Sequence, residues 1–190
     1  QGRENLPRLP TVQASIELLP GQAPGQSELI VHWQQTLPLR LDLSLDDAGA
    51  RSTGRYQGSA SLAVDHWWTL NDLFYLSWGR DLGGGEPGPR ATRNASLHYS
   101  MPLGHWALAF NSSRYRYAQT VAGFSQDYRY SGRGAQQDLM LSRVLQRDEG
   151  SKTSASLKAF ARQSRSFIDD TEIEVQRRRV GGWELGLNHR

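Results

Sequence analysis

Five histidines, a serine close to one of them, a glycine-rich run and a block of arginines are the residues of this 190-residue chain whose types could do chemistry. His98 and Ser100 stand two apart in a segment with strand alternation, so they share a face, as the base and hydroxyl of a hydrolase might. That spacing along a strand is too long to imply a hydrogen bond, and no carboxylate partner is evident. The pair therefore reads as two polar residues on a wet sheet face. His32, His66, His105 and His189 are scattered, with no pair at metal-ligand spacing, and the absence of cysteine excludes thiolate sites. Gly83-Gly84-Gly85-Glu86-Pro87-Gly88 lacks the lysine and following helix of a phosphate loop, and is expected to be a mobile surface loop. Arg177, Arg178 and Arg179 follow Asp169, Asp170, Glu172 and Glu174. Two readings stand: a solvated hairpin with cross-strand ion pairs, or a charged wall that steers a polypeptide. The sequons at Asn94-Ala95-Ser96 and Asn111-Ser112-Ser113 fall inside strand patterns and read as chance matches. The expectation is a non-enzyme with no catalytic, cofactor-binding or metal-binding residue and no cofactor. Residues that touch a substrate stay unassigned.

The elements that would carry these residues are strands. Hydrophobic content is 37%, below the globular average of about 45–50%, yet the chain has 6 Trp, 7 Tyr and 5 Phe. With 19 Gly and 8 Pro marking turns, this composition suits a β-barrel with a wet interior, where only alternate residues need be apolar. The net charge of +3 comes from 22 basic and 19 acidic residues spread along the chain, without the dense basic stripe of a nucleic-acid binder. The longest uncharged run, Asn94 to Ser113, contains Asn, Ser, His and Pro, so no helical membrane span is expected. Starting at Gln1 without an apolar leader, the chain is expected to be processed or partial.

Two regions differ in pattern. In residues 1–36, Asn5 to Pro10 reads as a helix end broken by prolines. Val12 to Leu19 and Glu28 to Gln34 read as strands, and Pro20 to Gln26 as the turn between them. In residues 37–190 a period of two recurs. Leu39, Leu41, Leu43 and Leu45 alternate with Arg40, Asp42, Ser44 and Asp46. The pattern returns in Arg55–Val64, Leu73–Arg80, Ala95–Met101, Trp106–Phe110, Leu139–Leu145, Ala155–Arg162 and Trp183–Asn188. That makes about eight strands of roughly ten residues, the length of a tilted strand crossing a membrane.

Connections are expected to alternate long and short. Long ones are Asp47–Gly54, Gly83–Arg93, Ala118–Gly134 and Ser164–Gln176; short ones are His66–Asn71, Pro102–Gly104 and Asp148–Ser151. Outer-membrane barrels have long loops outside and short periplasmic turns. On this reading Trp67, Trp68 and Trp106 gather at the short-turn side as part of an aromatic girdle.

These motifs, in this order, resemble a family. Leu9 to Ala14 with Leu19-Pro20-Gly21 is similar to the end of a polypeptide-transport-associated (POTRA) domain, and Asp46-Asp47-Ala48-Gly49 with Thr53 to Gly58 to a first barrel hairpin. Leu70 to Phe74, Tyr99 to Gly104, Tyr115-Arg116-Tyr117, Ser131-Gly132-Arg133, Ile168-Asp169-Asp170, Gln176-Arg177-Arg178 and Gly186 to His189 follow. Together they resemble the two-partner-secretion outer-membrane transporters, the ShlB/FhaC/HecB haemolysin secretion/activation family. His66-Trp67-Trp68 departs from the Asn-Pro-Leu-Gly-like turn of that family.

The resemblance implies periplasmic POTRA domains followed by a sixteen-stranded transmembrane antiparallel β-barrel. Residues 1–36 would be the C-terminal part of the second POTRA domain, periplasmic, and residues 37–190 the N-terminal part of the barrel, embedded in outer-membrane lipids. It also implies a partner: a large, unfolded β-helical exoprotein, such as a haemolysin or adhesin, translocated without ATP. POTRA strand edges would receive that partner by strand augmentation. The family's Val-Arg-Gly-Tyr/Phe loop has no counterpart here. Competing readings are a porin-like channel, a soluble β-sandwich binding module and, more distantly, an outer-membrane lipase.

Overall fold

The computed structural model describes residues 12–20, 26–68, 71–148 and 150–190. The expected helix end at residues 5–10 and most of the 20–26 turn lie outside them. Strands β1 (Val12–Pro20) and β2 (Ser27–Gln35) form an antiparallel two-stranded ladder, Val12 opposite Gln35 and Pro20 opposite Ser27.

The rest is one antiparallel meander. Its strands are β3 (Leu39–Asp46), β4 (Tyr56–Asp65), β5 (Leu73–Gly83), β6 (Ala91–Leu103), β7 (Trp106–Ala122), β8 (Asp127–Arg147) and β9 (Lys152–Ile168). The two-residue β10 (Thr171–Glu172) and β11 (Arg178–His189) both pair with β9 and act as one strand interrupted by a 3₁₀ turn at Glu174–Gln176. Each strand pairs with its sequence neighbour, so the sheet is built from local hairpins.

All eight expected strands are present, and most outrun their apolar patterns, three of them by the largest margin. β7, β8 and β9 have 17, 21 and 17 residues. Most of the expected 118–134 connection is strand, leaving a turn at 123–126; residues 164–168 likewise extend β9, and Asp169–Asp170 is the turn. The extensions alternate Arg, Tyr, Ser and Gly without an apolar face, so hydrophobic periodicity cannot mark them. The long-and-short contrast survives in mixed form: 47–55 and 84–90 are loops, while extended hairpins stand at 118–134 and 164–176.

Alternation gives the sheet one apolar and one polar face. Across β3–β6, Leu41, Leu62, Leu76 and Leu97 are directly opposite in one register row. Across β6–β9 and β11, Met101, Leu108, Leu141, Leu157 and Leu185 form another. On β6 the two rows are four positions apart, Leu97 and Met101. A level apolar belt therefore slides along the register from strand to strand, which is the signature of strands tilted against the belt.

No layer among the described residues covers the belt. Leu43 is 75% exposed and Leu185 74%. The buried apolar side chains among the described residues are the small Ala63 and Ala118. A soluble sandwich buries one sheet face against another, and this sheet has no such partner among the described residues.

Candidate functional site: the polar face of the sheet

The residues alternating with the belt make a face of short hydroxyls, amides and charges. Their order comes from cross-strand pairing. Ser44 Oγ lies 3.1 Å from Ser59 Oγ, and Ser77 Oγ 2.7 Å from Ser96 Oγ. Ser61 Oγ donates to Asp42 Oδ2 at 3.3 Å. A three-strand chain runs at mid-sheet: His98 Nδ1 donates to Asn111 Oδ1 at 2.6 Å, and Asn111 Nδ2 donates to Asp138 Oδ2 at 2.8 Å. Asp138 is buried, and the Asn111 amide supplies a hydrogen-bond donor to it. On β9 and β11, Lys158 Nζ reaches Glu184 at 3.4 Å, and both Lys158 and Arg162 lie over the ring of Phe160. Gly182 stands opposite Phe160 and leaves room for that ring.

The short-turn end is held by two buried carboxylates. Asp65, 1% exposed, accepts two bonds from Arg40, at 3.0 and 3.1 Å, across the β3–β4 ladder. Asp72, fully buried, accepts from the Trp68 amide at 2.9 Å and the Tyr99 hydroxyl at 2.7 Å. The turn between β4 and β5 works through His66. Its backbone is left-handed (φ 57), its amide donates to the Asp72 carbonyl, and its Nδ1 accepts from the Asn71 amide at 2.9 Å. The ring thus caps the turn, and this explains why a His-Trp-Trp sequence serves there. Thr69 and Leu70 of this turn lie outside the described residues. Trp67 packs edge-on against Phe74 with centroids 4.2 Å apart, and Trp106 lies beside Arg143 at 5.1 Å. Trp67, Trp68 and Trp106 are all exposed at this end.

The opposite end relies on surface contacts. Tyr115 and Tyr117 on β7 face Gly134 and Gly132 on β8, and their rings lie over the glycines. Tyr117 also contacts Tyr130, centroids 6.0 Å apart, and the Tyr130 hydroxyl donates to Gln176 at 3.0 Å. Arg177 Nε donates to Glu172 at 2.6 Å. That bond, reinforced by the charges of Arg177, Arg165 and Arg133, holds the Glu172 carboxyl below its ordinary range. In the 47–55 loop, Arg55 donates to Asp47 at 2.9 Å, and the bond raises the guanidinium's affinity for its proton.

Comparison with known proteins gives this architecture a family. The model of the haemolysin secretion/activation protein ShlB/FhaC/HecB matches residues 25–190. The chain belongs to this family. It is 30% identical over 190 residues to the outer membrane transporter CdiB-2 of Burkholderia pseudomallei strain 1026b, covering 100% of this chain and 32% of that protein. It is 24% identical to the hemolysin transporter protein ShlB of Serratia marcescens, covering 100% of this chain and 34% of that protein. Among solved structures, CdiB from Escherichia coli superposes with a TM-score of 0.85 at 26% identity, over 100% of this chain and 35% of that one. CdiB from Acinetobacter baumannii gives 0.78 at 30% identity, over 100% and 36%. The chain thus spans about a third of the length of the relatives it matches. The CdiB-2 relative and CdiB of Dickeya dadantii are named outer membrane transporters, which puts this ShlB/FhaC/HecB member in the bacterial outer membrane.

Within this family member the residues singled out from sequence fall as follows. His98 and Ser100 share the polar face, but His98 bonds across the ladder to Asn111. Asn111 and Asp138, which complete that chain, carry no signal in the sequence, because only register brings them together. The 83–88 loop is better held than a mobile loop would be. Gly84 accepts from the Arg55 amide, and the Glu86 amide donates to the Arg51 carbonyl. Gly85 (φ 101) lies so close to the Arg51 backbone that no side chain fits. The arginine block divides: Arg177 pairs with Glu172 and Glu174, Arg178 falls on the polar face and Arg179 on the belt face. Both sequons lie inside strands β6 and β7. Among the described residues no group of three or more His, Asp or Glu is placed to hold a metal ion.

Proposed function

We propose that residues 37–190 are the first part of an outer-membrane β-barrel whose polar face lines a conduit for an unfolded β-helical exoprotein, of haemolysin or adhesin type. In this reading the whole transporter moves, and activates, that partner without ATP and catalyses no bond chemistry. Residues 1–36 are the end of a periplasmic POTRA domain, with β1 and β2 offering backbone edges for strand augmentation.

The observation that carries this reading is the bare belt. Leu41, Leu43, Leu45, Trp183, Leu185 and Leu187 are each more than half exposed on one face, while the other is hydroxylic, amidic and charged. Lipid suits the first face and water the second. The internal pairing of the polar side chains supports a wall that a polypeptide slides past.

The test uses the full-length transporter with the exoprotein encoded beside it, in a Gram-negative host. We expect the transporter in the outer-membrane fraction and the exoprotein in the medium. Reconstituted into proteoliposomes, it should pass the unfolded exoprotein without nucleotide. A transporter recovered in the soluble fraction would overturn the membrane reading. Conductance of small solutes without exoprotein release would favour the porin-like channel.

A further inference from the structure

Five arginines occupy one register row on the belt face. Arg80 on β5 is opposite Arg93 on β6, Arg93 opposite Arg116 on β7, Arg116 opposite Arg133 on β8, and Arg133 opposite Arg165 on β9. All five are exposed. One row nearer the belt, Arg114 and Arg179 sit on β7 and β11. Like charges directly opposite on adjacent strands repel, so such a row is unfavourable unless anions meet it.

The chain supplies few. At the upper edge Arg165 has Glu172 at 4.0 Å, and Arg129, on the same face, has Asp170 at 3.4 Å. Arg133 lies over the ring of Phe167 at 5.0 Å, and Arg80 Nε donates to the adjacent Asp81 carbonyl. Arg93 and Arg116, in the middle, make no side-chain hydrogen bond or ion pair among the described residues. Two open hollows, of about 430 and 350 Å³, flank this middle, and both are lined by Arg116 and Arg133. Each is larger than a phosphate group.

Position identifies the occupant. The row starts beside the belt, Arg80 following Trp78 by two, and climbs away from it towards β9 because the strands are tilted. It lies towards the end of the sheet opposite the short turns and their Trp67, Trp68 and Trp106. An arginine row continuous with a lipid-facing belt meets lipid headgroups, and guanidinium forks match phosphate oxygens bidentately.

We propose that the row Arg80–Arg93–Arg116–Arg133–Arg165 is a binding strip for phosphate-bearing glycolipid headgroups of the outer leaflet. This rests on the membrane-barrel reading above. A sloping strip reaches phosphates at several depths, as a thick headgroup layer presents them, where a level row would reach one plane.

The experiment uses the full-length transporter, purified from outer membranes in a zwitterionic detergent. Thermal unfolding is followed with added lipopolysaccharide, dephosphorylated lipopolysaccharide or inorganic phosphate. Lipopolysaccharide should raise the midpoint of the wild type, and the other two additives should do little. Arg116→Gln with Arg133→Gln should weaken binding about tenfold, the worth of one charge-assisted contact. Arg143→Gln, at the short-turn end of the same face, should leave it unchanged. Should the double variant fail to fold, Arg116→Lys decides, with binding expected between wild type and Gln. Equal stabilisation by the dephosphorylated lipid or by free phosphate, or an unaltered response in Arg116→Lys and the Gln variants, would overturn the strip. A protein absent from the outer membrane would instead overturn the barrel reading.

Discussion

The two ends of the sheet use the same residue types to different effect. At the short-turn end, Asp65 and Asp72 are buried and each accepts bonds from more than one donor group or atom. At the far end, Asp47, Asp170 and Glu174 stand largely in water and Glu172 is partly exposed, each with an arginine partner. A buried carboxylate that loses its donors leaves partners desolvated and unpaired, whereas an exposed one is readily replaced by water. The short-turn end should therefore be the rigid anchor of each hairpin and the far end the adaptable one.

Substitutions at the two ends can break this contrast. The largest effect is expected for Asp72→Ala, which strands the Trp68 amide and Tyr99 hydroxyl: about 3 kcal/mol. Urea unfolding in detergent, followed by the heat-modifiable gel shift of the folded full-length protein, measures it. Asp65→Ala should cost about 2 kcal/mol by the same assay, less because Arg40 is a third exposed and can turn to water. At the far end, Gly132→Ala puts a methyl 2.5 Å from the Tyr117 ring, which must swing away. We expect about 1 kcal/mol and a changed near-ultraviolet dichroism of the tyrosine cluster. The smallest effect concerns pH. Glu172 has a lowered folded-state pKa, so its bond to Arg177 contributes fully above the ordinary carboxylate range and is lost as pH falls below it. Protease cleavage within residues 168–178 should rise on acidification in the wild type and be insensitive to pH in Glu172→Gln. An equal loss from Asp72→Ala and Glu172→Gln would erase the contrast between the ends.

How much of this was legible in the sequence differs along the same line. Leu39 to Leu45 and Ala155 to Ala161 announce themselves because the belt demands an apolar residue at every second position. The upper halves of β7 and β8 do not, since Arg114 to Tyr117 and Tyr128 to Arg133 satisfy neither face's hydrophobic rule. Their strand state is set by pairing with each other, such as Tyr117 opposite Gly132. The site was least legible. His98, Asn111 and Asp138 are far apart in sequence, as are the five arginines, and register alone aligns them. The turn at His66 is legible as a short connection, but its chemistry is not: a histidine ring there replaces the usual turn residues.

The paired hydroxyls of the polar face have a mechanical consequence. Ser44 with Ser59, Ser77 with Ser96, and His98 with Asn111 and Asp138 already spend their strongest bonds on one another. In the proposed conduit, a polypeptide travelling along such a wall would meet wetness without adhesion. Each passing amide would exchange water for a weak contact and back again, keeping dwell times short and the drag on the moving chain low and even.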